Sequence, residues 1–450
     1  MTTSAKQTAE LTRLTQALVT LNESLPQLFK DAFNTEKLAA ISSEGLFSPQ
    51  EDEQMGYWFA RFITIRRNLW SIVEAGIQTT GGISKLSAER DYPFFVLAYS
   101  AVCSLIRMDR FLVGKVATHT IIQRKLNEAL PQHRIERKQF SEIYQALVQP
   151  ANALRIHQAH RTLKRHAETI QLAVRDSPVE SVLSRLPQQE RYLNLSRRHY
   201  FLAWLKSRKL VWRRRGASAK QKSLFTVLEY SGRLASELSL PRPKKVTPTV
   251  RDQLAKLIQP GDIFITRHSR ALTNLFLPGY WPHAALYVGY EHDRDRLQIP
   301  HDPIHHRFWC ESACTLEALK DGVHFRSLAS TLSVDAFVVI RPNFSQTDIA
   351  QALGRVAVHA GKAYNFDFDF FRADQLVCTE VIYRAFDGIA GRRIPLHERV
   401  GRKTLSAEDI LDLTIESDWA QAIAIFGVGD SKHELITDHR VNAVLQQSYR

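Results

Sequence analysis

The chain has 450 residues, 44% of them hydrophobic and 24% charged, a balance that excludes a disordered polymer and a multi-spanning membrane protein. At this length two domains, or one domain with a large appendage, are expected. The formal charge is +14, and much of the excess lies in 191–222, which holds eleven Lys or Arg and no acid; a run of this kind suits an anionic surface such as lipid headgroups, nucleic acid or an acidic protein.

The opening residues, MTTSAKQTAELTRLTQ, lack a basic stretch followed by an apolar one, so no secretory signal is read and residence in the cytoplasm is the expectation. Leu11, Leu14, Leu18, Leu21, Leu25 and Leu28 then recur at alternating spacings of three and four. They form one seam of an amphipathic helix, too short for a coiled coil and expected to pack inside a helical domain. Helical patterning continues through 57–76, 92–114, 138–175 and 189–212. The uncharged run from Tyr92 to Ile106 stops at Arg107, short of the roughly 20 apolar residues that cross a bilayer, and predicts a buried helix. Within 197–215, Tyr200, Phe201, Trp204, Leu205, Leu210, Val211 and Trp212 are interleaved with Arg and Lys. This aromatic–basic pattern suits a solvated helix face or peripheral contact with an anionic membrane. Nucleic acid is not expected, because no nucleic-acid motif accompanies the charge.

SLPRPKKVTPTV (239–250) carries three prolines and a basic pair and reads as a linker. The expected division is a helical domain over 1–240, a linker over 241–257, a second domain over 258–420 and a C-terminal tail over 421–450. Beyond the linker, short β-type runs appear at 262–266, 284–290, 307–311 and 336–341. Two helices follow, one over 345–359 opened by the capping-box-like Ser345-Gln-Thr-Asp348, the other over 375–387.

The four cysteines, Cys103, Cys310, Cys314 and Cys378, are too few and scattered for a disulfide framework, and no CxxC completes a zinc site. Cys378, in DQLVCTEVIYRAF, falls in the first turns of a helix that Asp374 is positioned to cap, where the free N–H groups favour thiolate. Read alone, it is more often a small core residue. His283, in GYWPHAALYVGY, opens an alternating strand that is able to aim an imidazole at that helix start; read alone, it is more often a turn residue. Glu311, in RFWCESA, falls on the next expected strand, where a carboxylate would fix the imidazole tautomer. His292, His301, His305 and His306 sit in an insertion at 291–307 without ligand spacing; they are read as solvent-facing, and no metal or cofactor is expected.

PGDIFITR (260–267), PHAALYVG (282–289), ESACTLEALKDGV (311–323), VVIRP (338–342), GKAYNFDFDF (361–370) and LVCTEVIY (376–383) together resemble the permuted papain-like amidases of the YiiX type, relatives of NlpC-type cell-wall peptidases and of lecithin retinol acyltransferase. The resemblance covers about 258–390. It implies a circularly permuted papain-like domain, an antiparallel sheet packed on helices, which together with the mainly helical N-terminal domain read from the patterning gives an α+β chain. It further implies Cys378 as nucleophile, His283 as base, Glu311 as third member and Tyr364 in the cleft. The segment ALTNLFLPGYW (271–281) is placed at the cleft rim, with Trp281 as a second substrate-binding residue, and core packing explains the segment equally well. The expected chemistry is cleavage of an amide or ester through a thioester acyl-enzyme, by hydrolysis or acyl transfer, on a lipid at a membrane surface. An amidase or peptidase acting on peptidoglycan-type or other peptides is the alternative, and a catalytically silent binding module the third reading.

Overall fold

The structure, a computed structural model, describes residues 3–86, 89–193, 245–267, 280–299, 309, 312–365, 370, 374–399, 402–429 and 434–449. The basic–aromatic run from 194 to 222, Cys310, Glu311 and the histidines at 301, 305 and 306 therefore lie outside the described residues. The chain divides into two compact units, Met1–Gly45 with Glu53–Ser218, and Leu46–Asp52 with Ala219–Arg450.

The first unit is helical. Its helices are α1 (Thr3–Lys30), α2 (Thr35–Glu44), α3 (Pro49–Thr80, whose first turn counts with the other unit), α4 (Tyr92–Phe111), α5 (Thr120–Lys125), α6 (Gln139–Val148), α7 (Pro150–Arg165), α8 (Ala167–Val174) and α9 (Glu180–Glu190). Along α1, Leu14, Leu18, Leu25 and Leu28 are buried, so the leucine seam packs within the unit. Helix α4 is the central element, with fifteen of its residues buried. Among the described residues, no helix is long and apolar enough to cross a membrane.

The second unit is built on a six-stranded antiparallel sheet of order β10-β5-β1-β2-β3-β4. The strands are β1 (Ile263–Arg267), β2 (His283–Tyr287), β3 (Thr315–Leu319), β4 (Gly322–Arg326), β5 (Ala336–Pro342) and β10 (Ala420–Phe426). Two short ladders stand apart, β6 (Ala363–Tyr364) with β7 (Gln375–Leu376), and β8 (His397–Arg399) with β9 (Arg402–Thr404). Alternation sends Ile263, Ile265, Ala284, Leu286, Val338 and Ile340 to one face. There they meet α13 (Gln346–Ala357) and α14 (Cys378–Phe386) through Leu353, Val356, Val381 and Ile382. Phe264, Ala285, Tyr287, Phe337 and Val339 line the other face with Leu254 of α10 (Pro248–Ala255). The fold class expected from sequence, helical first and antiparallel sheet with helices second, is what the structure contains. Both faces of the central strands being covered explains why their sequences read as near-continuous apolar runs.

The boundaries differ from the expectation in two places. Residues 245–257 are not a free linker: Val246 and Leu254 are buried, and the Val246 N–H donates to the Val334 carbonyl. Nor is 421–450 a tail, because β10 supplies the edge strand beside β5, and α16 (Val441–Tyr449) places Val441 and Leu445 in the core. Leu46 joins the same core. Beside it in sequence, Asp52 pairs at 3.0 Å with Arg384 of α14, a guanidinium that also binds Glu380 one turn back at 3.0 Å.

Candidate active site

Three elements converge at one end of β2. Its first residue, His283, pairs with Thr266 of β1. On the other side the β2–β3 ladder holds only Leu286↔Leu316 and Tyr287↔Thr315. Extending that register by one places Glu317 opposite Ala285, hence diagonal to His283 on the same sheet face, a separation side chains can bridge. Glu317 Oε2 lies 2.7 Å from His283 Nε2. Because the ladder ends there, the Ala284 N–H is free of a β3 partner and instead donates to the Cys378 sulfur, as does the Thr379 N–H.

Cys378 is the first residue of α14. Its N-cap is Val377, whose side chain makes no capping bond. Asp374, expected to cap this helix, lies three residues too early, since Gln375 and Leu376 are drawn into β7 by pairing with Ala363 and Tyr364. An uncapped start leaves first-turn N–H groups without an intrahelical acceptor, a setting that favours negative charge. The thiol is 4% exposed and hydrogen-bonded to the His283 ring; with Nε2 engaged by Glu317, Nδ1 is the nitrogen left for it.

The electrostatics follow from these contacts. Burial pushes the Cys378 thiol up, but the His283 charge and hydrogen bond, with the two N–H donors, outweigh it and bring the thiol below its ordinary value. Burial disfavours the His283 cation, yet Cys378 and Glu317 on its two sides raise its pKa to about 10. Glu317 is buried, which by itself favours the neutral acid; His283, the Thr331 hydroxyl and Arg326 hold it below the usual carboxylate range. The two shifts agree in sign across the Cys–His pair and favour a thiolate beside an imidazolium, with Glu317 as the carboxylate behind it.

Tyr364 is half-buried and near enough for the thiolate to add to the burial that raises its hydroxyl pKa. It is placed there by β6–β7, in which Tyr364 pairs with Leu376, two residues before the cysteine. Trp281 is different. Its ring is 1% exposed in the core, its Nε1 donates to Ser448 Oγ, and its backbone N–H donates to Glu408, so this residue has a packing position rather than an open face. Glu311 lies outside the described residues.

Glu317 is the residue that reading the sequence missed. The signal was present: TLEAL alternates and is followed by Lys320-Asp321-Gly322, a turn pattern that marks a hairpin. Glu317 is then the inward acid of its first strand. A cavity of about 260 Å³, lined by Gly261, Asp262, Arg341 and Ile349 among others, includes none of Cys378, His283 or Glu317. Among the described residues no group of His, Cys, Asp and Glu is arranged to hold a metal.

Comparison with the curated proteins and with solved structures returned no match. Residues 257–424, which contain Cys378, His283 and Glu317, match the family described as permuted papain-like amidase enzyme, YaeF/YiiX, C92 family, and over that segment the chain is similar to these amidases.

Proposed function

We propose that the C-terminal unit is a cysteine amidase that cleaves an acyl bond through a thioester on Cys378. The observation that carries this reading is the row Cys378–His283–Glu317, with the thiol at an uncapped helix start and hydrogen-bonded to the imidazole. The sulfur attacks the acyl carbon, and the first-turn N–H groups stabilise the oxyanion that forms. The imidazolium gives its proton to the leaving nitrogen as the C–N bond breaks. Neutral His283 then takes a proton from water, whose oxygen attacks the thioester and returns the thiol. Glu317 keeps Nε2 protonated throughout, so that Nδ1 carries the exchange.

Similarity to a family of amidases favours an amide as the bond cleaved. Transfer of the acyl group to an acceptor other than water uses the same thioester. A lipid substrate at an anionic membrane is the second reading, supported by the aromatic–basic sequence 197–215. The intact row of three side chains weighs against a silent binding module.

Iodoacetamide tests the nucleophile: Cys378 should label faster than Cys103 and Cys314, and His283→Ala should suppress that labelling. Equal labelling in parent and variant would remove the dyad. Incubation with muropeptides and with defined phospholipids, followed by mass spectrometry of the products, separates peptide from lipid substrates. For the membrane reading, flotation with anionic liposomes should weaken when Arg213, Arg214 and Arg215 are neutralised together; unchanged binding, or none in the parent, rejects it.

A further inference from the structure

Behind Glu317 lies a second row of polar groups that the reaction steps do not call upon. The Thr331 hydroxyl donates to Glu317 Oε1 at 3.0 Å, the oxygen not used by His283. The Thr315 and Thr331 hydroxyls are 2.7 Å apart, and Thr315 also donates to the Arg326 carbonyl at 3.0 Å. All three side chains, Thr315, Glu317 and Thr331, are buried. A hydroxyl has one proton to give. With the Thr331 proton on the carboxylate, the single Thr315 proton is shared between the Thr331 oxygen and the Arg326 carbonyl, so the hydroxyl that points its dipole at Glu317 is that of Thr331. Arg326 stands on the same oxygen at 3.5 Å, while its guanidinium is held by Asp321 through bonds of 2.6 and 2.8 Å.

We infer that Thr331 is a positioning residue for the Cys378–His283 pair: its hydroxyl locks the Glu317 carboxylate as an anion with Oε2 on His283 Nε2. The inference rests on the reading of Cys378 and His283 as nucleophile and base. Thr331 touches neither the thiol nor the bond to be cleaved, and acts only through Glu317. Two features make it more than a packing contact. The donor is neutral and directional, so it favours the ionised carboxyl over the protonated one. It also occupies the single oxygen whose rotation would pull the other off the imidazole. Without it the anion is less stabilised, the imidazolium loses support, and the thiol holds its proton to higher pH. In sequence, Thr331 ends the four-residue helix Leu328–Thr331, whose start is capped by Ser327, so a local turn delivers the hydroxyl to the sheet.

The test is the pH dependence of Cys378 alkylation in the full-length protein, read by mass spectrometry, for Thr331→Val, Thr331→Ala and Thr331→Ser. Loss of one buried hydrogen bond to a charged group predicts a rate at neutral pH about tenfold lower for the Val variant, with the acid limb displaced to higher pH. Thr331→Ser should restore the parent profile. Thr331→Ala carries the same comparison if T331V does not fold. A folded T331V or T331A with the parent profile overturns the inference, as does a Ser variant as impaired as the Val variant. Labelling that depends on His283 but not on Thr331 removes the positioning role alone. Labelling indifferent to His283 removes the underlying dyad.

Discussion

His283 Nε2 stands 2.7 Å from Glu317 Oε2, joining the first residue of β2 to the third residue of β3 just where those two strands stop pairing. The contact exists because the ladder is short: a longer β2–β3 pairing would consume the Ala284 N–H and leave no room for a helix start beside it. Glu317→Ala should therefore lower amide turnover by about 10²- to 10⁴-fold, since the tautomer and the cation both lose their support. Glu311→Ala, run beside it, should leave turnover close to the parent. The reverse ranking would return the role to Glu311.

The shifts at the pair predict the shape of the pH profile. The thiol lies below its ordinary 9.0 and the imidazole at about 10, so between them the protein carries thiolate and imidazolium together. Turnover should rise as the thiol deprotonates below pH 9, continue through pH 6.5 without the loss expected of an ordinary histidine, and fall near pH 10 as the proton needed by the leaving group departs. A descending limb near pH 6.5 in a turnover–pH series would contradict the ion pair.

Gly322 turns the β3–β4 hairpin at φ +115, and a Cβ there would sit 2.6 Å from the Lys362 carbonyl. That carbonyl also accepts from the Val323 N–H at 2.8 Å, so the hairpin bearing Glu317 is tied to the strand bearing Tyr364 at this point. Gly322→Ala adds backbone strain of about 1–3 kcal/mol and pushes the hairpin away. Its thermal midpoint should fall, and turnover should fall further than the unfolded fraction at assay temperature accounts for.

Arg384 is 2% exposed between Asp52 and Glu380. Replacing it by Met takes the guanidinium from Asp52 and Glu380, and a cost of about 3–5 kcal/mol is expected for breaking a buried pair, visible as a large loss in denaturation midpoint. Glu380 gives a signed pH effect. Burial, against the pull of Arg384, raises its carboxyl from 4.5 to about 8. The folded state therefore holds a proton that the unfolded chain releases near 4.5, and stability from this group declines as pH rises from 4.5 to 8. Glu380→Gln should flatten that decline; an unchanged slope would show that Glu380 is ionised in the fold.

The elements legible in the sequence were those with strong local patterns. β1, β2 and β5 read as short apolar runs, and Ser345 with Asp348 forms the capping box that its spacing suggests, each side chain on the other's backbone N–H. Cys378 and His283 were picked out by a helix start and a strand start, and the fold has them hydrogen-bonded. What the sequence concealed was nonlocal. Glu317 sits in a strand whose burial depends on a partner hairpin and on His283, and a charged residue within an apolar alternation resembles an exposed one until its partner is in place. Asp374 looked like a cap because Gln375 and Leu376 carry no mark of the two-residue pairing that delays the helix. Trp281 resembled a rim residue because nothing nearby announces Ser448 or Glu408, both more than a hundred positions downstream.

The membership of Leu46–Asp52 in the C-terminal unit bears on the order in which the molecule is made. A ribosome releases this segment after α1 and α2 but before the remaining helices of the first unit and long before Arg384, so for most of synthesis Leu46 and Asp52 await their partners. The helical unit is complete once 218 has emerged, whereas the catalytic unit has to close a loop that begins at 52 and resumes at 219. Closure of a long loop costs little more than that of a moderate one, so the delay is one of timing rather than stability. A catalytic fragment cut to the family-matching boundaries, 257–424, would lack this first-made segment, and Arg384 would emerge into a core with no Asp52 to receive it.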